Sequence, residues 1–199
     1  NTDSVEVLKG PASALYGRFE PGGVINFVSK RPQQTFAGEA VVTAGSDDFL
    51  RAGWDVGGDL AGDGTVLGRF NVAHEDAGSH RDGIDHRQTY VSPVVDWRPD
   101  DATSLLLRLE YIHRDAAFDR GLGNDARFLQ VPVSNNYGEP FQRIVKEQRV
   151  AAVEFNRVLS RDWRLRLGAF WSDVDVPEEQ FFNYGFPGLS GDTVNRNFV

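Results

Sequence analysis

The sequence predicts an all-β chain of 199 residues whose strands form part of a transmembrane antiparallel barrel. Three observations carry that reading. Apolar and polar residues alternate in segment after segment from Phe36 onward, and no long helical period holds anywhere. Short turns alternate with longer connections, so one end of the sheet is tight and the other decorated, as in membrane barrels. Trp97, Trp163 and Trp171 stand at the ends of alternating segments, where the interfacial girdles of a barrel would hold them.

Before this region, "VEVL" at Val5 to Leu8 and "GVINFV" from Gly23 read as short strands. They are separated by a stretch rich in Gly and Pro, including Gly10, Pro11, Gly17, Pro21 and Gly22. Glycine permits positive φ and close backbone approach, and proline sets the entry geometry at the cost of a donor. Phe36 to Ala44 alternates weakly. In "FLRAGWDVGGDL", Leu50, Ala52, Trp54, Val56 and Leu60 oppose Arg51, Gly53, Asp55, Gly57 and Asp59. Val66, Gly68, Phe70 and Val72 then oppose Arg69, Asn71 and Glu75. Val91, Pro93, Val95 and Trp97 oppose Tyr90, Ser92 and Asp96. Leu105, Leu107, Leu109 and Tyr111 oppose Arg108 and Glu110. Val150 to Leu159 is weaker, and Trp163, Leu165, Leu167, Ala169 and Trp171 oppose Arg164 and Arg166.

A soluble sheet with one face on a core and one in water would also alternate. Against it stand the Arg, Asp and Glu on most polar faces, the aromatic strand ends, and strands of about ten to twelve residues against a usual ~5 to 6. The short turns fall at 61–64, 99–102 and 160–162, and the long connections at 77–86, 115–147 and from 173 onward. The connection "GSDD" after the first barrel strand is short where a long one is expected.

Composition narrows the function. With 29 acidic against 21 basic residues, a formal charge of −8 and no basic cluster, nucleic acid is not the expected partner. The absence of Cys removes disulfides, redox CxxC motifs and thiolate metal sites. No apolar run approaches the ~18 residues of a membrane helix. The chain starts without Met and reads as an internal piece of a longer protein.

"VEVLKGPASALYGRFEPGGVINFVSKRP", residues 5–32, resembles the end of the plug domain of TonB-dependent siderophore receptors. The motif elements are Lys9, Gly10 and Pro11, then Leu15, Tyr16 and Gly17, then Gly22 and Gly23 with Asn26, then Lys30 to Pro32. "WRPDD" at 97–101 is similar to a turn of ferrichrome-type receptors, and "DRG" at 119–121 with "YGEP" at 137–140 to their third outer loop. Lys9 replaces the family's usual Arg, keeping the charge but losing the planar fork that grips a carboxylate.

The resemblance implies the C-terminal part of a plug over residues 1–34 and the N-terminal part of the barrel over 35–199. About seven strands of a plugged barrel of roughly 22 would be present. It implies residence in the bacterial outer membrane among its lipids, and uptake of ferric siderophore without enzymatic activity. The TonB energy-transducing complex would act through a TonB box lying upstream. Iron would travel as the chelate, with no resident cofactor or metal. The siderophore contacts expected are Phe118, Asp119, Arg120 and Phe128 in one loop, and Phe181, Phe182 and Tyr184 in another, with Phe186 beside them. Aromatic rims with a few charges suit a bulky anionic chelate.

His80, Asp82, Asp85 and His86 have donor types and spacing that suit a divalent metal, although a solvated outer loop is the plainer reading. No catalytic constellation, P-loop or dinucleotide motif is present. Rival readings are a TonB-dependent receptor for cobalamin or an oligosaccharide, or a soluble secreted sugar-binding β-protein. The soluble protein should not present Leu105, Leu107 and Leu109 to an apolar surrounding.

Overall fold

The computed structural model describes residues 2–10, 23–119, 121, 130–136, 138, 142–179, 188–190 and 193–195. β1 (Thr2–Lys9) and β2 (Gly23–Ser29) form an antiparallel pair. β3 (Ala37–Ala44), β4 (Leu50–Asp59), β5 (Val66–Ala77), β6 (His86–Asp100), β7 (Thr103–Ala117), β8 (Arg143–Val158) and β9 (Arg164–Glu179) follow. They make one seven-stranded antiparallel sheet in chain order, as expected of the first strands of a barrel. β10 (Gly188–Ser190) pairs with β11 (Thr193–Asn195).

The register lines the alternating residues up into rows. On one face Val95, Leu107, Val153 and Ala169 stand side by side across β6 to β9. Trp97, Leu105, Phe155 and Leu167 form the next row. This face is uncovered: Leu107 is 40% exposed, Leu109 43% and Trp97 46%. A soluble sheet would bury such a stripe, whereas a barrel wall turns it to lipid. The buried Leu67, Asn71, Ser92, Val94, Asp96 and Leu106 all lie on the opposite face.

The strands run longer than the alternation predicted. β6 to β9 have 15, 15, 16 and 16 residues, where about 9 to 11 suffice to cross a bilayer. The connections shrink to match, to 78–85 and 118–142, and β9 continues past residue 173. The strand tops carry polar side chains, so apolar alternation stops there while backbone pairing goes on. Cross-strand bonds hold these tops together: Arg87 Nε donates to Asp76 Oδ2 at 3.0 Å, and Tyr111 Oη to Glu147 Oε1 at 3.2 Å.

The β3–β4 connection is short, as its sequence indicated. Asp47 and Asp48 both adopt positive φ, 55° and 56°. Phe49 N donates to Ser46 O at 3.2 Å and Gly45 N to Phe49 O at 2.9 Å, closing a turn whose twist suits a hairpin. Gly78 N donates to Asp47 O at 2.8 Å, so this turn and the 78–85 loop share one end of the sheet.

Candidate functional site

Two polar constructions stand on this scaffold. The first joins the β1–β2 hairpin to the wall. β4 and β5 pair so that Asp55 faces Asn71 and Gly57 faces Arg69. A Cβ on Gly57 would come within 2.9 Å of Gly68 O and 3.2 Å of Arg69 Cγ. The bare position lets the Arg69 stem cross β4 toward Asp55. Arg69 Nε donates to Asp55 Oδ1 at 2.8 Å and Nη2 to Oδ2 at 2.7 Å, a two-pronged contact. Lys30 Nζ reaches Asp55 Oδ2 at 2.6 Å from the segment that leaves β2. The Asn71 amide, with its nitrogen turned to the carboxylate, lies 3.0 Å from Asp55 Oδ1.

Arg69 Nη1 also donates to the Arg31 carbonyl at 3.0 Å. The Arg31 side chain reaches Glu154 on β8 at 3.4 Å. Glu154 also receives Arg166 of β9 at 3.0 Å and Asn156 at 3.0 Å. Asp55, Arg69 and Glu154 sit on the face opposite the apolar rows. The hairpin is therefore tethered to the polar side of the wall, where a barrel has its lumen. Alternation placed Asp55 and Arg69 on polar faces, and Lys30 to Pro32 close the motif that ends the plug segment. The pairing itself depends on a register that alternation does not specify.

The second construction is at the long-loop end. Arg143 donates to both Asp85 oxygens, at 2.9 and 3.0 Å, and through Nε to Asp115 Oδ1 at 2.6 Å. The guanidinium holds the Asp85 carboxyl below the usual carboxylate range. Arg81 pairs with Asp119 at 3.1 Å and donates to Asn135 O at 3.1 Å. Asp82 N donates to Ser134 O at 2.8 Å. The 78–85 loop and parts of 118–142 thus form one unit.

The expected site residues fall as follows. Phe118 follows β7 directly, and its N donates to Gln142 O at 2.8 Å. Asp119 is held from both sides, accepting from Gly121 N at 2.7 Å and facing Arg81. Arg120, Phe128, Phe181, Phe182, Tyr184 and Phe186 lie outside the described residues. So do the motif residues Pro11, Tyr16, Gly17 and Gly22. Lys9 ends β1 opposite Gly23. Gly10 has φ 98° and Gly23 has φ 135°. A Cβ on Gly23 would meet Leu8 O at 2.5 Å. Asn26 Nδ2 donates to Glu6 Oε2 at 2.9 Å across the hairpin. Of the metal candidates, Asp85 is taken by Arg143 and His86 Nε2 by Glu75 at 2.8 Å. Among the described residues no three His, Asp or Glu side chains converge.

A hairpin tethered to the polar face of an antiparallel wall with a bare apolar outer face defines a class of protein, the plugged β-barrels of the bacterial outer membrane. The TonB-dependent Receptor Plug Domain family matches residues 1–24, and the chain is part of a TonB-dependent receptor. It is 36% identical over 171 residues to the metal-pseudopaline receptor CntO of Pseudomonas aeruginosa, covering 85% of this chain and 24% of that protein. It is 34% identical over 194 residues to the ferrichrome outer membrane transporter/phage receptor of Escherichia coli K12, covering 92% and 25%. The chain thus spans about a quarter of the length of these curated relatives. Among solved structures, the E. coli K12 ferric-catecholate import receptor Fiu in its open form superposes with a TM-score of 0.78 at 28% identity. That match covers 87% of this chain and 29% of Fiu.

Proposed function

We propose that the complete protein is an outer-membrane receptor that imports a ferric siderophore, driven by the TonB energy-transducing complex. The carrying observation is the tether of Lys30 and Arg31 to Asp55, Arg69 and Glu154, on a wall whose other face is apolar. A plug bound to a lumen wall blocks free diffusion, so cargo passage requires work on the plug. Relatives named for ferrichrome, ferrioxamine B and catecholate siderophores support the cargo class. In this reading residues 1–34 end the plug and 35–199 begin the barrel. Phe118, Arg120, Phe128, Phe181, Phe182 and Tyr184 meet the chelate, and Asp119 braces the loop through Arg81. Iron is cargo held by its chelator.

A second reading, uptake of a metal chelate not confined to iron, is favoured by the 36% identity to the metal-pseudopaline receptor. Titrating the purified complete receptor with ferric, nickel and zinc chelates, followed by tryptophan fluorescence, separates the two. Saturable binding of ferric chelates alone supports the siderophore reading. Equal binding of other metals on one chelator supports the second. Binding only of cobalamin or an oligosaccharide refutes both.

A further inference from the structure

The contacts that seat the segment between hairpin and wall are unequal. The Asp55 carboxylate is 15% exposed and holds both Lys30 and Arg69. Arg69 grips backbone as well, through the Arg31 carbonyl. Further along, Asp59 N donates to Gln34 O at 3.2 Å, so the segment lies on β4 as far as β3. The Arg31 side chain, by contrast, is 60% exposed and meets Glu154 at the longer distance of 3.4 Å. Glu154 keeps Arg166 and Asn156 if Arg31 leaves. Losing Lys30 and the Arg31 carbonyl would strip partners from two half-buried charges at once, the costlier change.

We infer that Lys30, Asp55 and Arg69 form a fixed pivot for the plug. When cargo passes, the β1–β2 hairpin and what precedes it move against the wall, the Arg31–Glu154 contact yields, and the Lys30 end stays seated. This rests on the reading of the protein as a plugged importer. Asp55 and Arg69 act as positioning residues: they touch no cargo and decide where the movable part of the plug ends.

The test pulls the plug by its amino-terminal side with a single-molecule force probe, using the complete receptor in a bilayer. In the parent, the resisted extension should stop at Lys30. In Asp55→Asn it should stop near Phe36, lengthening the released chain by roughly 20 Å at about 3.3–3.6 Å per residue. Arg31→Ala should leave the endpoint of the parent. Equal endpoints in parent and Asp55→Asn, or an Arg31→Ala shift as large as that of Asp55→Asn, overturn the pivot.

A second measurement uses Lys30→Cys with Asp55→Cys, the only cysteines this chain would then carry, joined by a short bismaleimide. Uptake should stay within about twofold of the unjoined pair. A loss of about tenfold or more at unchanged cargo affinity overturns the pivot. Pulling needs no cargo. A parent that takes up no ferric chelate therefore refutes the siderophore reading, while the endpoint still decides the pivot.

Discussion

Arg69 closes on Asp55 diagonally across the β4–β5 ladder, with paired contacts of 2.8 and 2.7 Å, although the register sets Asn71 opposite that carboxylate. The fork and the bare Gly57 beneath it act together. Arg69→Ala is expected to weaken seating of the plug segment by about 1.5–3 kcal/mol, the range for hydrogen bonds to charged groups. Arg69→Lys should fall between it and the parent, and Gly57→Val should behave like Arg69→Ala because the new side chain displaces the Arg69 stem. Denaturant-driven release of the plug from the complete receptor measures all three. A Gly57→Val variant as stable as the parent would show that Arg69 reaches Asp55 by another route.

Leu107 and its neighbour Arg108 should respond in opposite ways. Leu107 faces outward in the apolar row, so Leu107→Arg is expected to cost about 2–4 kcal/mol near the bilayer midplane. Arg108→Leu faces the lumen side and should leave barrel assembly intact, disturbing only contacts with the plug. Heat-modifiable migration of the complete receptor reads barrel assembly directly. Equal damage from both substitutions would undo the assigned register.

Gly23 tests the hairpin. With φ at 135° and Leu8 O only 2.5 Å from the site of a Cβ, Gly23→Ala must shift backbone. A cost of about 1–3 kcal/mol is expected, as for other residues held in sparsely populated backbone regions. It should appear as faster hydrogen exchange across β1 and β2 with exchange in β4 to β9 unchanged. Unaltered exchange in the hairpin would remove the strain argument.

The loop clamp carries a pH signature. Asp85 is lowered from 3.8, chiefly by its hydrogen bond from Arg143. Protonation therefore opposes the clamped form: its stabilisation is fully present above 3.8 and is lost as pH falls through the lower folded value. Exchange protection of the Ala117 amide, which donates to Asp85 O at 2.9 Å, should be level through neutral pH and drop only below that point. Asp85→Asn should show the acid behaviour at neutral pH. Protection that falls between neutrality and mild acid would assign the clamp to another group.

Much of this architecture was legible in the sequence, for a physical reason. Alternation reports which face each residue takes, so Leu107 outward and Arg108 inward could be read directly, as could the tight turns at 61–64, 99–102 and 160–162. Strand length could not, because polar cross-strand pairs such as Arg87 with Asp76 extend the ladder where apolar alternation has ended. Nor could partner choice. Asp55 and Arg69 stand on neighbouring strands 14 residues apart, and only the exact register makes them diagonal neighbours. The Gly23 turn was visible as a glycine in a motif, while the clash that requires it appears only with Leu8 in place. Asp119 was legible only as a loop residue beside Arg120, and its pairing with Arg81 at 3.1 Å appears only when the two loops are brought together.

Radio-iron uptake by iron-starved cells that carry the complete receptor as their sole siderophore route tests the proposed function most directly. The probes are hydroxamate, catecholate and mixed ferric chelates, each measured with the inner-membrane energy source intact and collapsed. Saturable uptake of at least one ferric chelate, abolished when the energy source is collapsed, is the expected result. No uptake of any ferric chelate, with cobalamin or an oligosaccharide entering through the same receptor, would contradict it.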